Sequence, residues 1–138
     1  MKFFSHSARD TFGFAKDFSR TLEGGEIITL SGELGVGKSV FAKGLCFGLG
    51  VKDDVLSPTF TIMNDYRGDK FTVCHYDAYR LSSGEEAYFG GFTDYFGQKD
   101  TVCVIEWAEN IASALTNFKL INVTLKRVGD EEREIEIQ

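Results

Sequence analysis

Residues 26–50 constrain the fold more than any other stretch. The apolar run "EIITLS" is followed at once by "GELGVGKS", and then by an amphipathic segment. An apolar run without alternation marks a strand buried on both faces of a parallel sheet. Phe41, Leu45 and Leu49 recur at i, i+4 and i+8, one helix face, and Gly50 stands where such a helix would end. Between strand and helix, Gly32, Gly35, Gly37, Lys38 and Ser39 satisfy G-x-x-x-x-G-K-[ST] in full. The glycines let backbone amides turn inward around phosphates, and the helix starting near Lys38 adds its positive end. In such a loop the lysine reaches the β- and γ-phosphates and the hydroxyl coordinates magnesium. The candidate nucleotide-binding residues are therefore Gly32, Gly35, Val36, Gly37, Lys38, Ser39 and Val40.

The rest of the chain alternates strands with helices. Ala8, Phe12, Ala15, Phe18 and Leu22 fall on one helical face, with Asp10, Lys16 and Arg20 toward solvent; Gly24 and Gly25 predict the end of that helix. Gly44 and Gly48 lower the propensity of the second helix and predict its close approach to the sheet. "DDVLSPTFTIMNDY" holds the only proline and reads as a loop entering a strand. "FTVCHYD" and "TVCVIEW" read as strands, "GEEAYFGGFTDYFG" as a helical or irregular excursion, and "AENIASAL" as a short helix. "KLINVTLKR" and "REIEIQ" are two strands around the turn "VGDEE". This order predicts α/β architecture: a single P-loop NTPase-like domain over residues 1–138, with a mostly parallel central sheet, antiparallel additions and flanking helices. A chain of 138 residues buries roughly two-thirds of its unfolded surface in one such domain.

Composition narrows the partners. The net charge is −6 and the basic residues are scattered singly. Chains that grip nucleic acid draw much of their affinity from a basic face, so no direct nucleic-acid binding is expected. No apolar run reaches the ~20 residues of a membrane span, and "MKFFSHSARD" turns polar too early for a signal peptide. Cys46, Cys74 and Cys103 are an odd number set in apolar runs and predict reduced thiols, hence a cytoplasmic protein. His6 and His75 lack zinc-ligand spacing. Thirteen phenylalanines predict an aromatic-rich core. Those of "EEAYFGGFTDYF" read as core, with apolar anchors for a partner as the other reading.

A phosphate-binding loop works with a metal-directed carboxylate at the C-terminal end of another strand. "TVCVIEW" offers Glu106 there, and "FTVCHYD" offers Asp77, either to order the metal's water shell or the attacking water, or to cap the segment after its strand. N-K-x-D is absent, which argues against a GTPase, and two of the D-x-x-G matches, at Asp10 and Asp94, follow no buried strand. A small-molecule kinase shields its transferring group with clustered arginines, whereas Arg9, Arg20, Arg67, Arg80, Arg127 and Arg133 are dispersed. The residues describe a minimal ATP-binding domain whose output is a change of shape or partner. A small P-loop kinase acting on a small-molecule or protein hydroxyl is the alternative.

"GELGVGKS", "SPTFTIMNDY", "HYDAYRL", "GGFTDYF" and "VIEW", in this order, resemble the TsaE family across nearly the whole chain. That resemblance implies a Mg2+-dependent ATPase of low intrinsic activity, with ATP/ADP as ligands. It implies work beside TsaB and TsaD, which with the TsaC product install threonylcarbamoyl on adenosine 37 of tRNA. By similarity Ser39 and Glu106 hold magnesium, and Lys38, Asp77 and Glu106 are catalytic. Ser57, Pro58 and Thr59 form a switch-like loop near the γ-phosphate, and Trp107 and Arg80 belong to the nucleotide or partner surface, with His75 structural or a partner contact. The resemblance sets the adenine site around Ala8 and Gly129. Ser39 stands where many members carry threonine, which keeps the hydroxyl, and Glu33 where aspartate is frequent. An acidic chain can serve tRNA modification if it binds the modifying enzymes rather than the tRNA.

Overall fold

In the computed structural model, which describes residues 1–138, seven strands form one sheet. They are β1 (Lys2–Ser5), β2 (Ile27–Ser31), β3 (Met63–Arg67), β4 (Thr72–Asp77), β5 (Thr101–Glu106), β6 (Leu120–Arg127) and β7 (Arg133–Ile137). Their spatial order is β1-β7-β6-β2-β5-β4-β3. The central strands β6, β2, β5 and β4 run parallel, and β3, β7 and β1 add antiparallel edges. The predicted parallel centre with antiparallel additions is the observed sheet. Strand β1, which the sequence reading did not resolve, is four residues long and takes its register from β7 through Phe3 opposite Ile135.

Period-two alternation divides the strands between two layers. Ile28, Leu30, Val73, Val102 and Val104 face helices α1 (Ala8–Ser19) and α2 (Lys38–Gly48). Ile27, Cys74, Tyr76, Cys103 and Ile105 face helix α3 (Gly84–Phe89) and two 3₁₀ segments, Phe92–Tyr95 and Ala108–Ala114. The three cysteines are free and buried. No helix is long and apolar enough to cross a membrane.

Four local expectations are corrected. Helix α1 buries Thr11, Ala15 and Ser19; of the expected face Ala15 and Leu22 enter the core and Phe18 packs against it, while Ala8 is exposed. It also stops at Ser19, well before Gly24: tight i→i−3 bonds from Arg20, Thr21 and Leu22 close its last turn. Gly44 and Gly48 serve contact with α1, not with the sheet. A Cβ on Gly44 would collide with the Phe12 carbonyl oxygen and stand 3.0 Å from Ala15 Cβ, and one on Gly48 would lie 2.6 Å from Lys16 O. The aromatic-rich core holds only in part: Phe41 and Phe96 are buried, Phe3, Phe14, Phe18, Phe71 and Phe92 pack against the core from its margin, and the centre is mainly aliphatic. Within "EEAYFGGFTDYF", Ala87 and Phe96 enter the core while Tyr88 and Phe89 remain exposed, edge to face at 5.5 Å.

Candidate functional site

The site grows from the C-terminal ends of the parallel strands, where open α/β sheets bind ligands. Strand β2 leaves the sheet at Ser31 and turns through Gly32 at φ +151. A Cβ there would stand 2.6 Å from Leu125 O and 2.7 Å from Val36 Cγ1, so only glycine permits the turn. Gly37, at φ +112, is the N-cap of α2 and provides no side-chain cap. The first-turn amides are thereby left to an anion. Lys38 bends back over this loop: its Nζ donates to Gly32 O at 2.8 Å and lies 5.6 Å from the centre of the Trp107 ring.

The opposing wall comes from β4 and β5. The alternations Val73-His75-Asp77 and Val102-Val104-Glu106 point these polar residues to the α2 side of the sheet, and Asp77 pairs in register with Glu106. His75 Nε2 donates to Glu106 Oε2 at 2.9 Å, with the two side chains 3% and 12% exposed. Asp77 caps the segment after its strand and also faces the cleft. Its Oδ1 accepts from the Tyr79 amide at 3.0 Å, capping the following turn, and its Oδ2 accepts from Thr59 Oγ1 at 3.4 Å on the cleft side. The Ser57 and Thr59 hydroxyls share a 2.8 Å hydrogen bond. Behind them the Ile62 amide donates to Pro58 O at 2.7 Å, with Ile62 at φ +68. A β-branched residue pays strain in that conformation, and the bond from the Asp77 amide to Ile62 O, 2.8 Å, ties the turn to β4.

Together these segments enclose a cleft of about 390 Å³, lined by Leu34, Gly35, Gly37, Lys38, Ser39, Val40, Ser57, Thr59, Asp77, Glu106 and Trp107. Of the predicted residues, Pro58 is buried and sets the turn from behind the wall. Arg80 lies outside the cleft: its Nη2 donates to Phe60 O at 2.8 Å and its guanidinium sits 5.8 Å from the Phe60 ring centre. Trp107 lines the mouth at φ +61, edge to face with Tyr79 at 5.0 Å.

A second cleft of about 310 Å³ flanks the other side of the loop and shares Gly35, Gly37 and Val40 with the first. Ala8 and Thr11 of α1, Val36, and Asp130, Glu131 and Arg133 of the β6–β7 hairpin complete it. Ala8 and the hairpin thus meet beside the loop. Gly129 does not line it; its carbonyl accepts from Arg133 Nη1 at 3.2 Å. Arg133 also donates through Nε to Val36 O at 2.9 Å, fastening the hairpin to the loop.

The strongly shifted acid groups lie in the core, not in the clefts. Desolvation pushes the Cys46 thiol up to about 12. Burial also lifts the Tyr76 phenol above its usual range, so it stays a donor to Phe92 O at 2.9 Å.

Sequence reasoning missed the His75–Glu106 bond, the role of Leu34 as a wall, and the Arg133 fastening. The first was within reach, since His75 is two residues from Asp77 on the same face of a strand. The others depend on which hairpin and loop fold back over β2.

Comparison with known proteins assigns the family. The sequence model of the family described as "Threonylcarbamoyl adenosine biosynthesis protein TsaE" matches residues 5–135. The chain belongs to the TsaE family. That membership carries a role in tRNA threonylcarbamoyladenosine biosynthesis. The chain is 39% identical over 138 residues to the tRNA threonylcarbamoyladenosine biosynthesis protein TsaE of Treponema pallidum (strain Nichols), covering 99% of each chain. It is 37% identical over 135 residues to the TsaE of Bacillus subtilis (strain 168), covering 98% of this chain and 83% of the relative. The crystal structure of Bacillus subtilis YdiB superposes with a TM-score of 0.83 at 33% identity, over 99% of this chain and 83% of that one.

Proposed function

We propose that this TsaE-family chain is a slow, Mg2+-dependent ATPase that binds ATP across the two clefts. Nucleotide-dependent association with a TsaB–TsaD complex then supports threonylcarbamoyl modification of tRNA adenosine 37, in the cytoplasm. One observation carries the reading: Lys38, Ser39, Asp77 and Glu106, from separate segments, line a single cleft at the start of α2.

The donors fit magnesium. Ser39 and the two carboxylates are hard oxygen ligands, and no group of three or more His, Cys, Asp or Glu forms a closed cage. Magnesium is typically held by one or two protein oxygens, with phosphates and water completing its shell. The cleft sets one ammonium and the uncapped start of α2 beside two carboxylates, and a cation offsets those carboxylates next to phosphate. Bound there, magnesium neutralises charge on the phosphate oxygens. Ser39 and Glu106 hold it, and Lys38 exchanges the Gly32 carbonyl for the phosphates. Asp77, within reach of Thr59, orients the attacking water. Adenosine lies in the second cleft, between Val36, Val40, Ala8 and the hairpin.

No arginine lines the phosphate cleft. Arginines supplied to such sites raise phosphoryl transfer by orders of magnitude, so the free chain turns over slowly. Leu34, Phe60, Tyr79 and Trp107 are exposed around the mouth, an apolar rim suited to a protein partner. The test is ATP turnover by the wild type and Glu106→Ala, each alone and with purified TsaB–TsaD. Slow activity, stimulated by the complex and lost in the variant, is expected. Absence of both binding and stimulation sinks the partner-coupled reading. A γ-phosphoryl group recovered on an acceptor hydroxyl would replace it with a kinase.

A further inference from the structure

One buried side chain acts on the phosphate cleft without lining it. We propose that His75 is a positioning residue that aims the Glu106 carboxylate into the cleft; the inference rests on the reading of Glu106 as a magnesium ligand. His75 is 3% exposed, and its Nε2 donates to Glu106 Oε2 at 2.9 Å. Its other nitrogen, Nδ1, is buried with no hydrogen-bond partner. A carboxylate oxygen accepts, so the hydrogen of this bond is carried by Nε2. Buried polar groups are ordinarily paired. Here the imidazole leaves one nitrogen unpaired and directs its only hydrogen bond at Glu106. A histidine needed for packing alone would gain nothing from that arrangement.

The strand register explains the aim. Asp77 stands directly beside Glu106, and His75 lies one pleat behind, opposite Val104. The imidazole therefore approaches Glu106 from within the sheet and occupies one carboxylate oxygen, while the side chain still lines the cleft. Glutamate at a strand end has three side-chain torsions to settle, and this contact settles them before any ligand arrives. Partners of this kind orient metal ligands and change metal affinity by about 10–100-fold when removed.

The test uses His75→Leu, His75→Gln and Glu106→Ala in the full chain. Magnesium is titrated into each protein with ATP present and followed by the fluorescence of Trp107; ATP affinity is measured separately in chelator. In the metal-free wild type, imidazole nitrogen-15 spectra should show the proton on Nε2 of His75. His75→Leu should bind magnesium about tenfold more weakly with its metal-free ATP affinity unchanged. His75→Gln, whose amide can donate to the same oxygen, should recover most of the loss. An Nε2 without a proton, unaltered magnesium affinity in His75→Leu, or equal losses in the Leu and Gln variants would each overturn the assignment. Should His75→Leu fail to fold, the spectra and the Gln variant decide. If Glu106→Ala leaves magnesium affinity unchanged, the fault lies in the reading of Glu106 itself; if only the His75 variants are silent, that reading stands and the positioning role falls.

Discussion

One half of the phosphate cleft is contiguous backbone, built by residues 32–40. The other half is side chains gathered from three separate places, 57–59, 77 and 106–107. The loop half brings the Lys38 and Ser39 side chains but depends on the absence of side chains elsewhere: Gly32 has no room for a Cβ, and Gly37 leaves the start of α2 uncapped. The acid half works because particular side chains are present, set by the pairing of Asp77 with Glu106 and held from behind by His75 and Ile62. The two halves should therefore fail differently, one through folding and the other through chemistry in an intact fold.

The largest expected effect is on the acid half. Glu106→Ala should lower kcat for ATP hydrolysis by about 10²–10³-fold, the usual loss when a preorganised electrostatic group leaves an active site. Its melting temperature should move by only a few degrees. A collapse of the fold in thermal denaturation would make Glu106 structural and erase the contrast. On the loop half, Gly32→Val places a branched side chain at φ +151 against Leu125 O. It should cost about 2–4 kcal/mol in urea unfolding, from clash and backbone strain, and ATP binding should vanish with it. A stable Gly32→Val protein that binds ATP would show that the loop tolerates a side chain after all.

Gly44→Ala sharpens the contrast from outside the cleft. The α1–α2 contact leaves no room for its methyl group, which should cost about 1–3 kcal/mol, partly offset by the ~1 kcal/mol that alanine gains over glycine in a helix. ATP affinity of the folded variant should be that of the wild type. Cys46, on the same helix, supplies a pH test. Its thiol is pushed up from an ordinary 9.0 to about 12 by desolvation. Below pH 9 both folded and unfolded chains keep this proton. Between pH 9 and 12 the unfolded chain releases it first, so stability should fall by about 1.4 kcal/mol per pH unit. Urea midpoints from pH 8 to 10.5 should drop more steeply for the wild type than for Cys46→Ala, and parallel slopes would refute the linkage. The smallest effect is Thr59→Ala. Its bond to Asp77 is long and exposed, 3.4 Å, so its loss should cost under about 1 kcal/mol of stability. Turnover should fall only a few-fold.

The same contrast explains what could be read in advance. The loop half was legible because its requirements are local: glycines, a lysine and a hydroxyl at fixed spacing between a buried strand and a helix. Glu106 and Asp77 were legible as acids ending apolar strands, though not as register partners. The bond from His75 to Glu106 was not read, because it crosses between strands 31 positions apart. The aromatic-rich core holds only in part for a related reason. Phe4, Phe47, Phe60 and Phe89 lie on exposed surface, and composition counts residues without knowing which face they occupy.

The sequence by itself determined the strand–loop–helix unit, the α/β order around it and the acids available to it, since these rest on spacing and periodicity along one segment. Only the tertiary structure decided that β4 lies next to β5, that Gly44 and Gly48 meet α1, and that the β6–β7 hairpin closes a second cleft through Arg133. Those outcomes depend on the order of strands in the sheet and on how closely two helices can approach. Distant segments settle them jointly, so neither segment alone contains the answer.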